Sequence, residues 1–119
     1  MEITIKDKKF IFKEEMSGRE ENDSGIMFYL SKFLSGSEVK EEDLQQIVFT
    51  KEFDKVGTKM VSFMSLEPKM TLDEVKDLPA SNLFRLKFEC LLSHISQLEK
   101  IKEIGEKKSL TKLESSIPS

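Results

Sequence analysis

Residues 2–13 read Glu2-Ile3-Thr4-Ile5-Lys6-Asp7-Lys8-Lys9-Phe10-Ile11-Phe12-Lys13, and every other element has to be fitted against this stretch. Ile3 and Ile5, then Phe10 and Phe12, alternate with other positions at the strand period of two. A two-residue loop at Asp7-Lys8 sets Ile5 against Phe10 and Ile3 against Phe12, giving one continuous apolar face. The same register sets Thr4 against Ile11, Glu2 against Lys13 and Lys6 against Lys9. Asp-Lys lacks the glycine that favours such turns, which leaves room for a loop one residue longer. A lone hairpin is marginal in water, so its apolar face has to rest on other elements.

Those elements read as helices. Ser17-Gly18-Arg19-Glu20 fits a capping box, and Asn22-Asp23-Ser24 offers a competing cap, so the first helix begins near 18 or near 25 and ends near Ser35. Its stripe is Ile26, Leu30, Phe33 and Leu34, and Met27, Phe28 and Tyr29 fill the rest of that turn. A turn that is apolar on every side needs more cover than one small core supplies. Met27, Phe28 and Tyr29 are therefore candidate protein-binding residues, with Phe28 or Tyr29 expected at a contact with a client or a second copy.

Gly36 and Ser37 break the chain, and Glu38, Glu41, Glu42 and Asp43 suit the positive end of a new helix. Leu44, Ile47 and Val48 form one short stripe, while Phe49, Phe53, Val56, Met60 and Phe63 form another. The two are out of phase, which predicts a break near Thr50 with the threonine as cap. Gly57 costs about 1 kcal/mol inside a helix relative to alanine and so marks a close helix crossing. This segment ends at Glu67-Pro68. Thr71 and Glu74 then form a second capping box, with Met70 and Val75 as its hydrophobic staple, opening a short helix that stops at Leu78 before Pro79.

The last helix starts at Ala80 and carries Phe84, Phe88, Leu91, Ile95 and Leu98, flanked by Leu83, Leu86, Cys90 and Leu92. Phe84, Phe88, Leu91 and Ile95 are expected buried against the Phe53–Met60 stripe and the hairpin. Gly105 reads as a C-cap after Ile104, so residues 1–105 make one domain and 106–119 a polar tail, flexible alone. Leu110, Leu113 and Ile117 in that tail are spaced as one side of a short helix and are further candidate binding residues. The fold class is mostly α (α+β): an N-terminal hairpin on a compact bundle of four to five helices.

Composition removes several function classes. The 119 residues are 38% hydrophobic and 34% charged with net charge −3, which describes a folded, soluble chain without the clustered basic face of a nucleic-acid binder. The one basic cluster, Lys6, Lys8, Lys9 and Lys13, is interrupted by Asp7 and flanked by Glu2, Glu14 and Glu15. One cysteine and one histidine provide neither an intramolecular disulfide nor a zinc ligand set. Cys90 and His94 stand four apart, as a nucleophile and its base would, but no third residue to orient the base is identifiable. The favoured reading makes both of them packing residues. No glycine-rich phosphate loop or paired-acid arrangement stands out. We therefore expect no catalytic, metal or cofactor-binding residue. The start of the chain lacks a signal-peptide pattern, and the longest purely apolar run, Ile26–Leu30, is too short for a bilayer. A cytoplasmic, non-enzymatic protein with no membrane partner is the expectation.

Glu2 to Lys13 followed by Ser17-Gly18-Arg19-Glu20, and Thr71 to Leu78 before the last helix, resemble the tail assembly chaperones of long-tailed bacteriophages. The likeness is one of layout over most of the chain: hairpin, acidic linker, compact helices, polar tail. It implies a homo-oligomeric protein that coats a long helical tape-measure client and keeps it soluble while tail-tube subunits assemble. The residues themselves leave open a connector component of a virion, or a small acidic inhibitor of a host protein.

Overall fold

The computed structural model describes residues 1–32 and 41–116, apart from the side chains of residues 41, 43 and 101–116. The fold is mostly α (α+β). Three antiparallel strands, β1 (Glu2–Ile5), β2 (Lys8–Phe12) and β3 (Ser65–Glu67), lie in the order β1-β2-β3. Six helices accompany them among the described residues: α1 (Gly18–Ser24), α2 (Ile26–Leu30), α3 (Glu41–Val48), α4 (Lys51–Met64), α5 (Leu72–Lys76) and α6 (Ala80–Ser116).

The hairpin turns two residues at Lys6-Asp7, not at Asp7-Lys8. Both take positive φ, 49° and 67°, the backbone of the turn that matches strand twist. Ile3 therefore pairs with Phe10 and Ile5 with Lys8. The shift along the ladder is two residues, so no side chain changes face, and Ile3, Ile5, Phe10 and Phe12 are all buried. The earlier turn also brings Met1 opposite Phe12, where the Phe12 amide donates to the Met1 carbonyl at 2.8 Å. Lys13 is then free of Glu2 and donates to both carboxylate oxygens of Glu20 at 3.0 Å. β3 has no counterpart in the sequence pattern. Its three residues carry no alternation, and pairing with β2 places it, next to the bond from the Lys13 amide to the Met64 carbonyl.

Both candidate helix starts near residue 20 are used. Ser17 and Glu20 form the capping box of α1, and Gly25, in the left-handed region at φ 76°, ends α1 and opens α2. Asn22-Asp23-Ser24 stays helical, with the Ser24 hydroxyl bonded to the Glu21 carbonyl at 2.8 Å. The break before α4 falls at Thr50, whose hydroxyl accepts from the Phe53 amide at 3.1 Å. α5 has the Thr71–Glu74 box, with Met70 and Val75 buried on either side of it.

α6 departs from expectation in length and phase. It runs 37 residues through Gly105, which lies inside the helix and caps nothing. Lysine, glutamate and isoleucine flank that glycine, and a cost near 1 kcal/mol for one glycine does not stop such a run. At about 1.5 Å per residue α6 spans roughly 55 Å, in line with the 61 Å long axis of the molecule. Its buried line is Leu86, Lys87, Cys90, Leu91 and His94; Phe84 is exposed, and Phe88 and Ile95 are only half-buried. The helix is thus rotated from the expected stripe toward its smaller residues. The helix end near Ser35, Phe33, Leu34, the Gly36-Ser37 break and Ile117 lie outside the described residues, as do the side chains of Leu110 and Leu113.

Candidate functional site

The apolar turn Ile26–Leu30 is mostly absorbed by the core. Ile26 and Leu30 are fully buried, and Tyr29, expected at a contact surface, is 3% exposed. Tyr29 stacks on Phe53 at 6.4 Å and donates its hydroxyl to the Ile47 carbonyl at 3.0 Å, with a second close bond to the Thr50 hydroxyl. A tyrosine whose polar end is satisfied by the α3–α4 break is a core residue. Met27 is half-buried, its sulfur 3.5 Å from His94 Nε2. Of the three candidates on this turn only Phe28 faces outward, at 76% exposure. The Lys32 ammonium sits 5.5 Å over its ring and 2.7 Å from Glu52 at the start of α4.

A larger apolar surface lies where the sequence reading placed core. Phe49 is 78% exposed and Phe84 is 42% exposed. Their rings stack at 6.2 Å, and Phe84 stacks in turn on Phe88 at 6.5 Å and 8° between planes. Phe49 sits in the turn between α3 and α4, outside the α4 stripe of Phe53, Val56 and Met60 that it was grouped with. Thr50 takes the cap position, and the chain reverses phase there, turning Phe49 away from the interior. Scattered exposed apolar residues are ordinary in folded proteins, but contiguous aromatic rings are not.

Lys87 positions this row. Its side chain lies across Gly57 of α4, where an added Cβ would stand 2.9 Å from Lys87 Cδ and 3.0 Å from Cγ. Gly57 thus marks the close crossing expected of it. Lys87 is 8% exposed, and its ammonium reaches the exposed Asp54 carboxylate at 2.6 Å. With α6 held so close, Phe84 emerges beside Phe49 at the rim of an open groove of about 520 Å³ that Val48, Lys51, Asp54 and Lys55 help to line. A neighbouring groove of about 390 Å³ continues along α4 past Lys55 and Lys59 to Leu72 and Lys76 of α5.

Cys90 and His94 do not form a reactive pair. Burial, with a smaller effect of Glu89, pushes the Cys90 thiol up to about 12, which leaves it protonated at neutral pH. His94 turns to Met27 and to the Glu21 carboxylate, 3.7 Å away. Desolvation lowers the His94 pKa from its usual 6.5, against the opposing charges of Glu21 and Glu15. Among the described residues no group of three or more His, Cys, Asp or Glu side chains is placed to hold a metal ion, and no helix is long and apolar enough to cross a membrane. Comparison of the chain with protein-family models, with curated proteins and with solved structures finds no match.

Proposed function

We propose that this chain is a non-enzymatic binding protein that holds an apolar, helical client on the Phe49–Phe84–Phe88 face, in the role of a phage tail assembly chaperone for a tape-measure protein. The observation that carries the reading is the stacked aromatic row left at the surface while Phe10, Phe12 and Phe53 are fully buried. Exposed aromatic surface of this kind lowers solubility unless it is used, and aromatic side chains are the commonest anchors of protein interfaces. Phe28, with Lys32 over its ring, adds a separate exposed ring on α2. The tape-measure setting rests on the layout resemblance; the binding mode rests on the aromatic face.

Co-expression with the tape-measure protein of the same phage tests the proposal. The wild-type chain is expected to keep the client in the soluble fraction. Phe49→Ser/Phe84→Ser is expected to leave it in the pellet while circular dichroism shows the variant still folded. Equal client solubility with wild type and variant would overturn the proposal.

A further inference from the structure

The surface around the aromatic row is basic, although the chain as a whole carries a net charge of −3. Lys51, Lys55 and Lys59 recur every fourth residue on the exposed side of α4, and all three line the two grooves. Lys76 of α5 closes the far end of the second groove. The single carboxylate lining either groove is Asp54, and Lys87 already occupies it at 2.6 Å. The lysines on α4 have no such partner among the described ion pairs, whereas Lys9, Lys13 and Lys32 elsewhere do. Apolar anchors at one end and cations along one side make a surface with a definite complement.

We infer that this face receives an amphipathic helix with an acidic flank, its apolar side chains on Phe49 and Phe84 and its carboxylates along Lys51, Lys55 and Lys59. The inference rests on the proposed client-binding role and names the chemistry of the segment bound. Lys51 to Lys59 cover about 12 Å along α4, which matches two turns of a partner helix. Opposite charges arranged along an apolar seam set orientation and partner choice more than they set affinity. Single-stranded nucleic acid also uses lysines and aromatic rings. Here Phe84 is already stacked between Phe49 and Phe88.

Three dye-labelled 18-residue helical peptides, sharing one leucine–phenylalanine stripe and bearing Glu, Gln or Lys at every polar position, test this with the full chain. Fluorescence anisotropy at 50 mM salt is expected to rank Glu over Gln by ten-fold or more, with Lys weakest. At 500 mM salt that advantage shrinks to about two-fold, because exposed charges are screened. In Lys51→Gln/Lys55→Gln/Lys59→Gln, folded by circular dichroism, the Glu and Gln peptides should bind alike. Equal affinities for the wild type, a preference surviving in the triple variant, or no peptide binding would each overturn the inference. So would tight binding of a labelled fifteen-nucleotide oligo-dT abolished in the triple variant. None of these results bears on the co-expression assay, which judges the client-binding role separately.

Discussion

Gly57 and Lys87 meet at the crossing of α4 and α6: a Cβ built on the glycine would lie 2.9 Å from Lys87 Cδ and 3.2 Å from its Cβ. The second distance matters more, because a Cβ is fixed to its backbone and cannot swing away. Gly57→Ala gains about 1 kcal/mol of helix propensity and loses about 1–3 kcal/mol to overpacking. The expected result is a net loss of roughly 1 kcal/mol by urea denaturation. In a Lys87→Ala background the Cδ and Cγ contacts are gone but the 3.2 Å contact with Cβ remains, so the same substitution should cost less than in the wild type. A stabilising Gly57→Ala in the wild type would show that the helices can part without cost.

Tyr29 and Thr50 share a hydrogen bond, and both hydroxyls reach the Ile47 carbonyl. Tyr29→Phe should cost about 1 kcal/mol, because the Ile47 carbonyl loses one donor but keeps Thr50. Thr50→Val should cost a similar amount, because the cap of α4 is lost as well. Since the two residues belong to one network, the double variant should lose less than the sum of the singles. Strict additivity in chemical denaturation would mean that the two hydroxyls act independently.

The phase of α6 is tested by contrasting two apolar residues. Leu86 is fully buried, and Leu86→Ala should cost about 2–5 kcal/mol, a large share of the stability of a domain this size. Phe84→Ala should cost no more than about 1 kcal/mol, as expected for a side chain 42% exposed. Melting curves showing the reverse order would restore the original stripe.

His94 gives the fold a pH dependence of known sign. Its folded pKa lies below 6.5 because burial disfavours the charged ring. Below about 6.5 the unfolded chain therefore binds a proton that the folded chain does not, and stability falls as pH drops through that point toward the folded pKa. Glu20 acts in a lower window. Burial would raise its pKa, but hydrogen bonds from Ser17 and Lys13 and the charge of Lys13 outweigh that and hold it below 4.5. Its stabilisation is present above 4.5 and is lost as pH falls further. His94→Gln should flatten the stability profile between pH 7 and 5 and leave the steeper acid limb in place. An unchanged slope over that range would remove His94 as its source.

Local signals were legible where a side chain answers a backbone need. Ser17 with Glu20, Thr71 with Glu74 and Thr50 each cap the helix that their spacing announced, and Gly57 sits at a crossing. The hairpin faces followed from alternation, although its register did not, because a two-residue slip preserves every face. What failed depended on rotation about long axes. α6 offers two adjacent apolar lines, and sequence cannot say that Leu86 and Cys90 will turn inward and leave Phe84 outside. The candidate face was invisible for that reason: Phe49 and Phe84 stand 35 positions apart, and each alone reads as core. Tyr29 misled in the opposite sense, since its buried partners Ile47 and Thr50 belong to another helix pair.

The central claim is that the client rests on the Phe49–Phe84 face, and site-specific photo-crosslinking tests it most directly. p-Benzoylphenylalanine would replace Phe49 in one chain and Lys9, on the exposed side of the sheet, in another. Each would be irradiated in cells producing the tape-measure client, and the adducts mapped by mass spectrometry. The account predicts adducts to an apolar client segment from position 49 and none from position 9. Adducts from position 9 with none from position 49 would contradict it.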